Sequence, residues 1–129
     1  MGKEMGTAEA IETLTETDEL RATRKVGMVD KRGRAASFTG DDCYAWAGHI
    51  VGESFACQGN ILVPGTVEAM AATFEEARRG SGELADWLVD ALAAGQAAGG
   101  DSRGRPAPGA LGVGHTGRYG CNKDRCSCH

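Results

Sequence analysis

Aromatic side chains are scarce in this sequence, and long apolar runs and an excess of basic residues are missing. Aromatic residues make up 5% of the 129 residues, so the core of any fold must consist mostly of Ala, Val, Leu and Ile. No apolar stretch approaches the roughly 20 residues that span a bilayer. The segment Met1 to Thr7 lacks the apolar core of a signal peptide. We therefore expect a soluble cytoplasmic protein with no membrane partner.

The charge balance is acidic, with a net charge of −4 and a pI of about 5.3. A nucleic-acid-binding domain usually carries a basic patch, so no nucleic-acid partner is expected. The basic residues between Arg21 and Arg34 are interpreted as a solvated turn. Five cysteines are present, and Cys43 and Cys57 are most simply buried thiols in a reducing compartment.

The remaining composition is that of one globular domain. Hydrophobic residues account for 41% and charged residues for 25%, which is enough apolar material for one core. The 20 glycines are about double the usual share, and many follow Gly99. We therefore predict a single partial domain over residues 1–113 and a flexible Gly- and Cys-rich tail over residues 114–129.

Hydrophobic periodicity predicts an α+β arrangement, with strands followed by a helical layer. The helix signals have apolar residues at spacings of three and four, and the strand signals are short alternating runs bounded by turn residues. A Gly-Ser-Gly linker predicts that the last two helices form an antiparallel pair. The predicted elements are a helix at Thr7–Leu20 with Ala10, Ile11 and Leu14 on one face, a hairpin of Lys25–Asp30 and Arg34–Phe38, a strand at Glu53–Cys57, a turn at residues 58–60, and helices at Val67–Ala77 and Glu83–Gly95.

Several segments in this order resemble a bacterial family known as domain of unknown function 1028, which is assigned to the N-terminal-nucleophile (Ntn) hydrolases. The main matching segments are Trp46–His49, Gln58–Leu62 and Gly95–Arg105. The resemblance implies an Ntn-like αββα sandwich and an amide-bond hydrolase ancestry, with a small amide or peptide-like ligand. Family members begin with several strands that have no counterpart here, and Pro106 and Pro108 stand where a strand is usual. We therefore expect the chain to correspond to the C-terminal part of such a protein.

Whether this chain is an enzyme depends on its nucleophile. An Ntn hydrolase attacks with the side chain of its first residue and uses the free α-amino group as base. This sequence begins Met1-Gly2, and Thr7 lies in a predicted helix. We therefore expect no hydrolysis by the chain alone, and no cofactor is predicted. The alternative is a non-enzymatic ligand-binding or assembly module, because unpaired sheet edges favour a homo-oligomer.

The turn at Gln58, Gly59 and Asn60 is the first candidate site. An Asn side chain or a Gly backbone N–H after a strand can donate to an oxyanion. The competing interpretation is a tight turn that needs Gly and Asn for backbone reasons. Asn60 is therefore a candidate catalytic residue, and Gln58 and Gly59 are candidate ligand contacts.

A second candidate site follows the last predicted helix. Gly100 lets a ligand approach the backbone, Asp101 can orient an amine, and Arg103 and Arg105 can bind a carboxylate. The competing interpretation is a helix end followed by a salt-bridged loop.

After Asn60 and Asp101, His49 is the third catalytic candidate, as an acid/base pair with Glu53. A histidine that is simply hydrogen-bonded is the competing interpretation of this position.

The tail supports a hypothesis of a different class. Soft metal ligands occur at Cys121, Cys126, Cys128 and His129, and tetrahedral zinc takes such ligands. However, no Cys-x2-Cys pair is present, and Cys128 and His129 are adjacent. Fortuitous tail composition is the competing interpretation, so zinc binding is an alternative and not the main prediction.

Overall fold

A computed structural model describes residues 5–104 of the chain. Within that range the order of elements is a helix, two hairpins and two further helices, which confirms the predicted α+β class. The elements are α1 (Thr7–Thr15), β1 (Lys25–Val29), β2 (Ala35–Thr39), β3 (Gly48–Gly52), β4 (Phe55–Gly59), α2 (Thr66–Ala77) and α3 (Leu84–Ala97), with a short 3-10 turn at Arg21–Thr23.

The strands form two separate antiparallel hairpins. In the first, β1 pairs with β2 in a register that places Lys25 opposite Thr39. Asp30 closes its turn, because one carboxylate oxygen accepts the backbone N–H groups of Arg32 and Arg34 at 2.9 Å. In the second hairpin, β3 pairs with β4. The first hairpin was predicted correctly, with β2 displaced by one residue.

The second hairpin corrects the sequence prediction. Strand β3 was not predicted, and the predicted strand Glu53–Cys57 is displaced, because residues 53 and 54 form the turn and β4 begins at Phe55. Gln58 and Gly59 are strand residues rather than part of a turn. The physical reason is Ser54, which adopts a left-handed φ of 63°. Left-handed turn positions are normally marked by Gly, Asn or Asp, so a serine at this position did not indicate a turn.

Helix α1 is shorter than predicted and ends at Thr15. The hydroxyl of Thr15 donates to the carbonyl of Ile11 at 2.9 Å, and Thr7, Ile11 and Thr15 form the buried side of the helix. Leu14 is 64% exposed, so the prediction that it shares the buried face with Ile11 is wrong. Gly6, not Thr7, is the N-cap residue.

Helices α2 and α3 confirm the predicted antiparallel pair. Near one end, the rings of Phe74 and Trp87 lie 6.5 Å apart. Near the other end, Gly95 packs on Met70, and a Cβ at position 95 would lie 2.6 Å from Met70 Cγ. A small residue at position 95 therefore allows the helices to approach each other.

The hydrophobic core lies between β4 and the two long helices. Val67 is fully buried at its centre, and Phe55 packs against Phe74 with ring centroids 4.8 Å apart. None of the helices in residues 5–104 is both long enough and apolar enough to cross a membrane. Self-association through strand edges stays a prediction. The buried members of the core cluster are Phe55, Cys57, Leu62, Val67, Ala71, Phe74 and Ala91.

Candidate functional site

A short backbone bridge joins the two candidate segments that the sequence places far apart. Leu62 and Asp101 form an isolated antiparallel bridge. On either side of it, Val63 N–H donates to the Gly100 carbonyl at 2.9 Å, and Ser102 N–H donates to the Ile61 carbonyl at 2.8 Å. These bonds hold the end of β4 against the loop that follows α3. The two candidate sites are therefore two sides of one site.

The bridge lies beside a cleft of about 640 Å³. This volume is within the range of small-molecule sites, which is roughly 300–1,000 Å³. Arg105, the remaining predicted ligand contact, lies outside the described residues. The predicted residues that line the cleft are Gln58, Gly59, Asn60, Gly100, Asp101 and Arg103.

Side chains of the first hairpin orient the two amides of the cleft. Lys25 Nζ donates to Asn60 Oδ1 at 2.8 Å. Ser37 Oγ lies 2.8 Å from Gln58 Oε1 and 2.9 Å from the carbonyl oxygen of Val26, and its single O–H donates to one of them at a time. The missing side chain of Gly27 leaves room for Gln58. Because the carbonyl oxygen of Asn60 accepts a bond from Lys25, its amide nitrogen is the end that remains to donate to a ligand.

Asp101 positions Arg103 on the opposite side of the cleft. Its carboxylate is 7% exposed and accepts both the backbone N–H and the guanidinium of Arg103, with Nη2 at 2.6 Å from Oδ2. The hydrogen bond and the charge of Asp101 raise the pKa of Arg103, which keeps the guanidinium charged. The structure thus forms the salt-bridged loop that was the competing interpretation. The Arg103 side chain is still 55% exposed.

Most of the wall formed by α3 is apolar. Val89, Leu92 and Ala93 line it, Gln96 adds one amide at its C-terminal end, and Val89 is 53% exposed. Ile61 lies at the junction with β4 and has a left-handed φ of 57°, which is uncommon for a β-branched residue. Its N–H donates to the Tyr44 carbonyl at 3.1 Å. Strained residues of this kind cluster at ligand sites.

His49 lies apart from this cleft. Its Nδ1 is 2.8 Å from Thr39 Oγ1, at a second cavity of about 530 Å³. Glu53 follows the end of β3, and its 90% exposed carboxylate is 3.9 Å from Arg78. The structure therefore does not pair His49 with Glu53. His49 lies within β3 and contacts Thr39 of β2, whereas Glu53 lies in the turn that follows β3.

The cysteines of the described region do not form a reactive site. Cys57 is buried, and desolvation raises the pKa of its thiol to about 11. Cys43 is half-buried, and its Sγ lies 3.5 Å from the carbonyl oxygens of Thr23 and Arg24. Residues 5–104 contain no cluster of three or more potential metal ligands. The zinc candidates Cys121, Cys126, Cys128 and His129 lie outside the described residues.

Three contributors to the site were among those not found from the sequence. Lys25 and Ser37 were assigned only to strands, and each reaches a cleft residue more than 20 positions away. Leu92, which was assigned only to the predicted helix at Glu83–Gly95, lines the cleft. No local pattern carries this information, because it depends on how the two hairpins pack.

Comparisons with known proteins now place the chain in a family. DUF1028, described as a family of unknown function, matches residues 1–124. The crystal structure of protein SPO2555 from Silicibacter pomeroyi, also a DUF1028 protein, is similar to this chain with a TM-score of 0.65 and 29% sequence identity. The match covers 71% of this chain and spans 40% of that protein. Among curated proteins no match was found. The resemblance noted from the sequence is thereby confirmed, and the chain belongs to the DUF1028 family.

Proposed function

We propose that the cleft binds a small amide- or peptide-like ligand and forms the ligand-binding part of an Ntn-hydrolase-like fold. The observation that carries the proposal is the convergence of two separate segments, residues 58–60 and 100–103, on one cleft of small-molecule size. Membership of DUF1028 and the packing of α2 and α3 on β4 are consistent with the sandwich part of the proposal.

Hydrogen-bond donors determine the chemistry of the proposed ligand. Asn60 presents an amide nitrogen, Gln58 adds a further amide group to the lining, and Lys25 and Arg103 carry several N–H groups each. Carbonyl oxygens of an amide or peptide are suitable acceptors for such groups. The apolar wall on α3 matches the hydrocarbon part of the ligand.

Binding without hydrolysis is the expected behaviour of this cleft. Among the described residues that line it, Thr66 is the one with a hydroxyl, and no cysteine is present. Thr66 is 3% exposed, and its hydroxyl donates to the Val63 carbonyl at 2.7 Å. A buried hydroxyl with that partner is a poor nucleophile, because it has no adjacent base. The proposed amide-hydrolase ancestry therefore accounts for the kind of ligand that the cleft binds, and hydrolysis of that ligand is not expected.

The test is a ¹⁵N NMR titration of the 129-residue chain with N-acetyl-L-leucine and N-acetyl-L-leucinamide. We expect chemical-shift changes at residues 58–60 and 100–103 with at least one probe. Asn60→Leu removes an amide donor and should weaken binding about 3- to 10-fold, as loss of one hydrogen bond predicts. Arg79→Gln, on the exposed end of α2, is the matched control. Shifts confined to other surfaces with both probes would refute the proposal.

Hydrolysis can be followed in the same samples. Acetate release from either probe, measured by NMR over a day, should match the buffer blank. Release above the blank that persists in the Arg79→Gln control and disappears in Asn60→Leu would contradict a purely binding role.

A further inference from the structure

The charges in the cleft are opposite in sign to the charge of the whole chain. Lys25 and Arg103 are cationic and Asp101 is anionic, so the charged residues among the described lining of the cleft sum to one positive charge. The chain as a whole carries a net charge of −4. A cationic cleft in an acidic protein favours an anionic ligand.

Both cations that line the cleft keep donors for a ligand. The amine of Lys25 has three N–H donors, and one of them is bonded to Asn60. The guanidinium of Arg103 has five N–H donors, and Asp101 accepts those on Nε and Nη2. Asp101 fixes the direction of the guanidinium, so little side-chain freedom is lost when a ligand binds. Charge-assisted bonds to an anion are the stronger class of hydrogen bond.

The apolar wall restricts the class of anion. Val89, Leu92 and Ala93 present hydrocarbon along α3, opposite the polar ends of residues 58–60. A ligand that covers both surfaces carries an anionic group close to an apolar group. One excess positive charge matches a monoanion such as a carboxylate better than a phosphate dianion.

We propose that the cleft selects a free carboxylate attached to an apolar acyl-amino group, as in an N-acylated apolar amino acid. This inference rests on the proposed function and names its ligand class. The carboxylate contacts Lys25 and Arg103, the amide carbonyl accepts from Asn60 or Gln58, and the apolar side chain covers Val89 and Leu92.

The experiment compares the Kd of N-acetyl-L-leucine with that of N-acetyl-L-leucinamide, which has nearly the same shape and no charge, on the 129-residue chain. We expect the carboxylate to bind at least about tenfold more tightly, and this preference to shrink as salt is raised from 20 to 500 mM because exposed charges are screened. N-acetylglycine, which lacks the apolar side chain, should also bind at least about tenfold more weakly than N-acetyl-L-leucine.

Variants distinguish the effect of removing a cation from the effect of disturbing the fold. Lys25→Met and Arg103→Met should each reduce the preference for the carboxylate severalfold, whereas Arg103→Lys should retain much of it. Arg79→Met, which removes a cation away from the cleft, is the control. Circular dichroism shows whether each variant is folded, and the comparison of probes on the unaltered chain does not depend on any variant.

The outcomes separate the two proposals. Equal binding of the acid and the amide at residues 58–60 and 100–103 overturns the carboxylate inference and leaves the proposed function intact. If N-acetylglycine binds as well as N-acetyl-L-leucine, the role of the apolar wall is wrong. If neither leucine probe affects the cleft, or both affect another surface, the proposed function fails together with the inference.

Discussion

Two regions of the molecule are held together by different forces. The helical region, which we define as residues 48–97 from β3 to α3, contains nearly all the buried hydrophobic residues of the described chain. The first-hairpin region, defined as residues 7–40 from α1 to the end of the first hairpin, contributes one, Ile11. The helical region is therefore stabilised mainly by apolar burial and aromatic packing.

Polar contacts stabilise the first-hairpin region. Exposed ion pairs join Arg21 to Glu12 at 2.8 Å and Arg24 to Asp18 at 2.7 Å, and such pairs contribute little individually. The guanidinium of Arg21 also stacks on Phe38 at 4.8 Å. Side-chain hydrogen bonds between the two regions include Lys25 to Asn60. The cleft thus lies where a strongly packed region meets a weakly packed one. The comparison teaches that the polar residues lining the cleft are not the ones that form the hydrophobic core, whereas Leu62 belongs to both.

The largest expected effect comes from comparing one phenylalanine in each region. Phe74→Ala removes a ring packed on Phe55 and Trp87 and should lower the free energy of unfolding by about 3–5 kcal/mol. Phe38→Ala removes a half-buried ring and should cost about 1–2 kcal/mol. Urea unfolding followed by circular dichroism measures both. Equal costs would show that the two regions do not differ in packing.

Alkaline pH should weaken the helical region through Cys57. Its folded pKa is raised from 9.0 to about 11, so the folded state holds the thiol proton more tightly than the unfolded state. The associated stability is fully present below pH 9 and is lost as pH rises towards 11, about 2–3 kcal/mol in all. Urea unfolding between pH 7 and 11 should show a shallower decline in Cys57→Ala than in the unaltered chain. Cys43→Ala, in the loop before β3, is the control, and identical slopes for Cys57→Ala and the unaltered chain would contradict the prediction.

A substitution at Gly40 tests whether the first-hairpin region depends on the close contact between the backbones of Gly40 and Ala22. Gly40 is buried, and a Cβ there would collide with the carbonyl of Ala22. Gly40→Ala should therefore destabilise the protein by about 1–3 kcal/mol, since the backbone must move to relieve the overlap. Gly80→Ala, where the added methyl meets only ordinary contacts, is the matched control in a thermal-melt comparison. A similar melting temperature for both variants would show that the close backbone contact at Gly40 is unimportant for stability.

The smallest expected effect concerns Asp18. The hydrogen bond from Arg24, followed by the backbone N–H of Leu20, lowers the pKa of this carboxyl. The associated stability is present above the ordinary value of 3.8 and is lost as pH falls through the folded pKa. Asp18→Asn should therefore be slightly less stable than the unaltered chain at pH 7 and nearly equal to it at pH 2. Asp41→Asn is the exposed control, and a gap that widens on acidification would reverse the sign of the prediction.

The sequence alone determined the elements whose signals are local. Helix α2 was predicted because Val67, Ala71 and Phe74 repeat at helical spacing, and those side chains are buried. The first hairpin was predicted because Asp30 and Gly33 supply turn chemistry between two alternating runs. Strand β3 was missed because its turn depends on Ser54, a residue type that rarely marks a left-handed position.

The candidate site shows what only the tertiary structure decided. Sequence reasoning selected residues 58–60 and 100–103 one segment at a time, from the side chains of Asn, Asp and Arg and the backbone of Gly. The Leu62–Asp101 bridge decides that these segments share one cleft, and the packing of the two hairpins decides that Lys25 joins them. Local patterns report the backbone preference of neighbouring residues, whereas side chains from distant segments meet only when the whole chain buries its core. The sequence therefore determined which groups were available, and the fold decided which of them face the same cleft.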